Sequence, residues 1–218
     1  RSYSVTGVQT CALPIYFIRA PGGGGVETLE IPLFPLNTVL FPGGVQPLKV
    51  FEQRYLDMTA ACLKDNTPFG ICLIDAGAEV GEAAVPHTVG TLASIANWEM
   101  EQLGILMLDA IGGRRFRILD HEVGGDKLLR ATVELLAEPD VPLPQNRERL
   151  LPLLQRVVGD LGPARMPEPH RYDDAGWVGY RLTEVLPIQN LAKQKLLELD
   201  DPLARLEILE TFLDQRKL

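Results

Sequence analysis

The apolar pattern of this chain changes period once, at the proline-dense stretch Glu138-Pro139-Asp140-Val141-Pro142-Leu143-Pro144, and that change dictates the fold class. Before it, apolar residues come in short runs bounded by Gly, Pro, Asn and Asp, which is how strands separated by turns are written. After it they recur at three- and four-residue spacing almost to the end, the mark of amphipathic helices. Strands first and helices afterwards define an α+β chain rather than an alternating α/β one. Residues 26–140 are therefore predicted as a β domain containing one helix, and residues 141–218 as an antiparallel α-helical bundle.

The β half turns often. Residues 29–34 and 45–51 read as short strands, and Pro32, Pro35, Pro42 and Pro47 confine them to edges, bulges or bends, because proline has no N–H to give to a ladder. Pro42-Gly43-Gly44 is a strong turn signal. Phe51, Tyr55, Met58 and Cys62 then fall on one helical stripe, predicting a helix over 52–64. Strands resume at 69–74, 89–98, 103–111, 114–121 and 128–136, which suggests a small bent barrel or sandwich. In the second half Leu150, Leu154, Val158 and Leu161 mark one helix. Asp173 or Asp174 is placed to cap the next, and Pro187 to end it. A third runs over 189–199. Asp201 with Pro202 starts the last, which is expected to close the chain near Leu218.

Residues 1–15, RSYSVTGVQTCALPI, resemble the translation of a sequencing adapter and are set aside from fold reasoning, as a fusion scar would be. The rival reading is a signal peptide over the apolar run 11–18, which Pro14 interrupts and no Lys or Arg cluster precedes. Gly22 to Gly25 form a tether without the following GK[ST] of a phosphate loop. Setting residues 1–25 aside, which hold Arg1 and Arg19 and no acid, takes the net charge from −8 to −10. That disfavours nucleic acid as a partner, since such binding rests on clustered Lys and Arg. No run approaches the roughly 18 apolar residues of a membrane helix, so a cytoplasmic protein without a membrane partner is expected. Cys11, Cys62 and Cys72 make no CxxC pair, and His87, His121 and His170 stand far apart, so neither a metal nor another cofactor is expected. Serine is confined to Ser2, Ser4 and Ser94. Ser94, on a predicted strand without an activating base nearby, is expected to be structural.

Several groups could carry function. Phe34, Pro35, Leu36, Phe41 and Pro42 would offer an apolar platform with unpaired strand-edge backbone for a polypeptide, or would simply plug the barrel. Glu52, Arg54 and Tyr55 in FEQRY form either a recognition group or the fixing of a strand-to-helix junction. Arg114, Arg115 and Arg117 are the one candidate basic patch; a solvated strand face with cross-strand ion pairs is the alternative. Asp109, His121 and His170 would have to serve a small-ligand site and show no convincing spacing.

The run IPLFPLNTVLFPGG, followed by KVFEQRYLDM, FGICLI, VGTLASI, RRFRIL, LRATVELL and KQKLLELDDPLARLEILETFL, resembles the N-terminal substrate-binding domain of Lon proteases, and most closely the free-standing Lon-domain proteins. The resemblance covers residues 29–218. It implies a six-stranded PUA-like β pseudobarrel followed by a helical bundle. It also implies unfolded or degron-bearing polypeptides as partners, with a protease or chaperone as a further one. Neither the GxxxxGK[ST] loop nor a sequence like the family's catalytic PKDGPSAG occurs, so no catalytic residue is assigned. An adaptor or holdase in protein quality control is the reading this supports; an RNA-binding PUA-like protein or a small-ligand sensor is the alternative.

Overall fold

The structure is a computed structural model that describes residues 27–216. The leader and glycine tether expected over residues 1–25, Cys11 included, lie outside them. The first half is a mostly antiparallel sheet. Its strands are β1 (Thr28–Leu36), β2 (Val45–Val50), β3 (Phe69–Ala76), β4 (Val85–Pro86), β5 (Val89–Gln102), β6 (Ile105–Val123) and β7 (Leu129–Leu135), with helix α1 (Gln53–Asp65) between β2 and β3. Strand β1 pairs with β7, β7 with β6, β6 with β5 and β5 with β3. Strand β3 returns to β1 in parallel, so the pairings close on themselves, while β2 adds to the first half of β6. Tyr55, Met58 and Cys62 of α1 pack with Phe34, Leu48, Phe69 and Leu108 in one core. Phe51, placed on the same stripe by its spacing, is instead half exposed.

Two strands expected over 103–111 and 114–121 are one continuous strand, β6. Gly112 and Gly113 make no turn there. The 41–44 turn presses on β6 at this point: Gly43 N–H donates to the Gly112 carbonyl at 2.7 Å and Gly112 N–H to the Gly44 carbonyl at 2.9 Å. A Cβ on Gly112 would lie 2.2 Å from the Phe41 carbonyl oxygen, so only glycine admits that approach.

The second half holds a 3₁₀ turn (Gln145–Leu150) and helices α2 (Leu151–Leu161), α3 (Ala175–Val185), α4 (Asn190–Glu198) and α5 (Pro202–Arg216). Asp174 caps α3, its Oδ1 accepting from Gly176 N at 2.7 Å and Trp177 N at 3.3 Å. Leu154, Val178, Leu182, Leu206 and Leu209 form the helical core.

Sheet and helices meet over Phe41, Leu73, Val89, Tyr180 and Leu197. Buried arginines lock this seam. The last carbonyls of α4 have no partner within the helix and no glycine cap, and Arg115 of β6 supplies donors instead. Its Nη1 reaches the Leu197 and Leu199 carbonyls at 2.8 and 3.0 Å. Arg205 of α5 donates from Nε to the Leu196 carbonyl at 2.9 Å. Cations at a helix C-terminus also oppose its negative dipole end. Burial works against the Arg115 charge, but Tyr180 and the Glu138 and Asp200 carboxylates more than restore it, so its pKa lies above the usual arginine value. Burial pulls Arg205 the other way.

Candidate functional site

The site grows out of how unevenly β5 is supported. Strand β3 covers it only at Thr91–Ala93, and beyond Ser94 its recorded pairing partner is β6 alone. The two strands run on as a hairpin arm that turns at Leu103-Gly104, where Gly104 takes a φ of +83° that an L side chain would strain. Opposite residues of paired strands present their side chains on one face. Trp98 pairs with Leu108, which pairs with Leu48 of β2; Met100 pairs with Leu106, which pairs with Val50. Leu48, Val50, Leu106 and Leu108 are core. The same apolar face therefore continues from the core onto the arm, where its cover ends: Trp98 is 51%, Met100 53% and Leu103, at the tip, 99% exposed. The opposite face carries the row Lys49, Met107 and Glu99. Single exposed apolar residues are ordinary, but Trp98 and Met100 on one face with Leu103 in the turn beyond them make the end of the arm the candidate interaction surface.

The residues singled out from the sequence are placed otherwise. Phe34, Pro35, Leu36 and Phe41 are buried and Pro42 half-buried, so these five do not form an exposed platform. Phe34 stacks on Tyr55 with ring centroids 4.0 Å apart, and Phe41 packs on Tyr180 at 5.9 Å. Strand β1 pairs with β7 over Thr28–Leu33 and with β3 over Leu33–Leu36, so Phe34, Pro35 and Leu36 have a strand neighbour on one edge, and it is the burial of their side chains that withdraws them. Glu52, Arg54 and Tyr55 do come together. Arg54 Nη2 meets the Glu52 carboxylate at 3.1 Å and Nη1 donates to the Lys127 carbonyl at 3.1 Å, while the guanidinium lies 4.6 Å over the Tyr55 ring. Glu52 also accepts from Gly81 N at 3.3 Å. The trio thus ties the start of α1 to two loops.

Arg114, Arg115 and Arg117 do not form a basic stripe, nor is Arg115 solvated. Arg114 pairs with Glu27 at 2.7 Å, Arg117 lies 3.8 Å from Glu134, and Arg115 is fully buried under α4. Ser94 sits half-buried in β5 opposite Ile111. Asp109 accepts from Asn97 at 3.4 Å, His170 contacts the Met166 carbonyl at 3.0 Å, and His121 lies on the far part of β6. Among the described residues no group of three or more His, Cys, Asp or Glu is placed to hold a metal ion, and no helix is long and apolar enough to cross a membrane. The arm was legible in one detail: Trp98, Met100 and Leu103 keep apolar character in ANWEMEQL, where a turn would be polar.

Mostly antiparallel strands followed by packed helices, with one hairpin projecting from the sheet, make this an α+β domain of the Lon N-terminal type. The crystal structure of a Lon N-terminal domain protein from Xanthomonas campestris superposes with a TM-score of 0.71 at 35% identity, covering 84% of this chain and 98% of that one. The chain belongs to the family of the ATP-dependent protease La (LON) substrate-binding domain, whose family model matches residues 30–215. Curated relatives include protein cereblon of Xenopus tropicalis, 27% identical over 71% of this chain, and Lon protease of Cytophaga hutchinsonii, 25% identical over 85%. This chain spans 36% and 24% of those proteins' lengths.

Proposed function

We propose that this chain is a non-catalytic polypeptide-binding module that captures unfolded or degron-bearing chains through the β5–β6 arm, as an adaptor or holdase in cytoplasmic protein quality control, handing clients to a protease or chaperone. The observation that carries the reading is the uncovered apolar face at Trp98, Met100 and Leu103. Membership of a family described by substrate binding supports it. In this reading residues 26–140 are a PUA-like pseudobarrel that holds the arm, and residues 141–218 a helical bundle that braces it. The arm takes the place of Phe34, Pro35, Leu36, Phe41 and Pro42 as the peptide-binding surface; Phe34 and Leu36 belong to the core from which its apolar face extends, and Phe41 to the seam with the helices.

The energetics suit a promiscuous catcher. Covering the exposed halves of Trp98 and Met100 and all of Leu103 is worth about 4 kcal/mol on the scale of buried apolar side chains, and once the cost of association is subtracted the affinity through this face alone is weaker than about millimolar. Each contact is then brief, and an unfolded client favours capture by offering the arm many apolar segments to rebind, where a folded one offers few. The test is retention of a reduced, carboxymethylated test protein on immobilised residues 26–218. Trp98→Asp with Met100→Asp should lower capture at least tenfold without moving the melting temperature. Undiminished capture by the folded double variant overturns the proposal.

A further inference from the structure

We infer that the arm binds its client as an added β-strand along the outer edge of β5, and that it selects segments in which apolar residues alternate with basic ones. This rests on the polypeptide-binding reading above and specifies its mode.

The backbone makes the first part of the case. In an antiparallel pair alternate residues turn their N–H and C=O away from the partner strand, so beyond Ser94 every second residue of β5 directs these groups to the outer edge, and β3 covers only Thr91–Ala93. Ala96, Asn97, Trp98, Glu99, Met100 and Gln102 are all exposed. The register shifts between Ile95 and Asn97 and again between Met100 and Gln102, leaving Asn97 to Met100 as a regular stretch against β6. Bulges blunt the ends of an exposed edge. What remains is a docking length of about four residues, long enough for the main-chain bonds of strand addition and too short to template a long sheet.

The side chains decide which segment fits. Along this stretch Trp98 and Met100 point to the apolar face and Glu99 to the other, where it is the outer member of the row Lys49, Met107, Glu99. A strand laid beside β5 extends each row by one residue. The rows through Trp98 and Met100 call for apolar neighbours, and the row through Glu99 calls for a cation between them. The alternating requirement follows from the period of two in any strand. A second copy of this chain is the poorer occupant, because its own edge presents Glu99 and the chain carries a net charge of −8; like charges opposite each other destabilise a strand pair.

The experiment uses the chain with the blocked octapeptide (Val-Lys)4, labelled for anisotropy. N-methylation of alternate residues removes the N–H groups of one strand edge and leaves the side chains in place. Two N-methylated forms, one for each edge, are compared with the parent. Strand addition predicts that one form loses at least tenfold in affinity while the other binds nearly as the parent does. It also predicts slowed amide exchange within Asn97 to Met100. (Val-Glu)4 should bind roughly threefold or more weakly than the parent, the scale of an exposed ion pair, and Glu99→Lys should reverse that order. Equal binding by the two N-methylated forms overturns the mode. So does concentration-dependent dimerisation that the peptide dissolves without itself showing an edge preference. If capture of the unfolded test protein survives either result and still depends on Trp98, the binding function stands and only the strand mode fails. Loss of that dependence overturns both.

Discussion

Arg115 offers the sharpest way to perturb the seam that holds sheet and helices together. Its side chain is fully buried and donates from Nε to Glu138 at 2.7 Å, from Nη1 to the Leu197 and Leu199 carbonyls, and from Nη2 to the Ala137 carbonyl at 3.2 Å. Arg115→Ala leaves three carbonyls without this donor. At about 1 kcal/mol for each under-satisfied carbonyl, and about 1 kcal/mol more for lost packing of the stem, the cost is about 4 kcal/mol. The ion pairs contribute little of it: the Asp200 side chain is 69% exposed and that of Glu138 is partly exposed, so solvent screens both. For a chain of this size about 4 kcal/mol lowers Tm by roughly 8–16 °C. Arg115→Lys keeps the charge but cannot span three carbonyls and a carboxylate, so about half the loss should remain. Urea unfolding followed by circular dichroism measures both variants. Arg115→Ala within 1 kcal/mol of the parent, with an unchanged m-value, would refute the capping role given to this residue.

Other consequences follow from packing and burial. Gly112→Ala drives a Cβ to 2.2 Å from the Phe41 carbonyl and should cost about 3 kcal/mol by denaturant unfolding; a neutral result would mean that the 41–44 turn can move off β6. Burial pushes the Cys72 and Cys62 thiols up, the latter partly offset by Thr67, so neither should react with a thiol reagent in folded 26–218, and both should on unfolding. Hydrogen bonds from Arg130 and from the Leu128 backbone hold the Asp126 carboxyl below its usual range. Because the folded pKa is the lower one, that stabilisation is present above about pH 4 and fades as pH falls through the folded value. An NMR titration of the Asp126 carboxyl should show the low midpoint, and Arg130→Gln should raise it toward the ordinary aspartate value.

How far the sequence reaches is clearest in three places. Asp174, Asp201 and the 53–65 helix were legible because caps and stripes are local: the Asp201 carboxylate accepts from Leu203 N at 2.8 Å, as its position before Pro202 predicts. Gly112-Gly113 misled, because glycine signals equally a turn and a place where another backbone presses close, and only the fold tells which. At Arg115 the period correctly opposed it to Phe116, yet both are buried, since α4 covers the second face of β6. Period reads which face a residue is on, not how many faces are covered. The arm escaped for the same reason: Phe34 and Trp98 are both aromatic strand residues, and the difference between a plugged core and an open edge lies in whether β3 reaches them.

The central claim is that Trp98 is where clients touch this protein, and its own fluorescence can report it. Trp98 and Trp177 are the two tryptophans of the chain, so Trp177→Phe leaves Trp98 as the sole reporter. Adding the reduced, carboxymethylated test protein, in a form that itself carries no tryptophan, should shift the emission to the blue and saturate along the capture isotherm. Emission that stays fixed at the wavelength of the free variant while the client is retained would place the contact elsewhere and contradict the account.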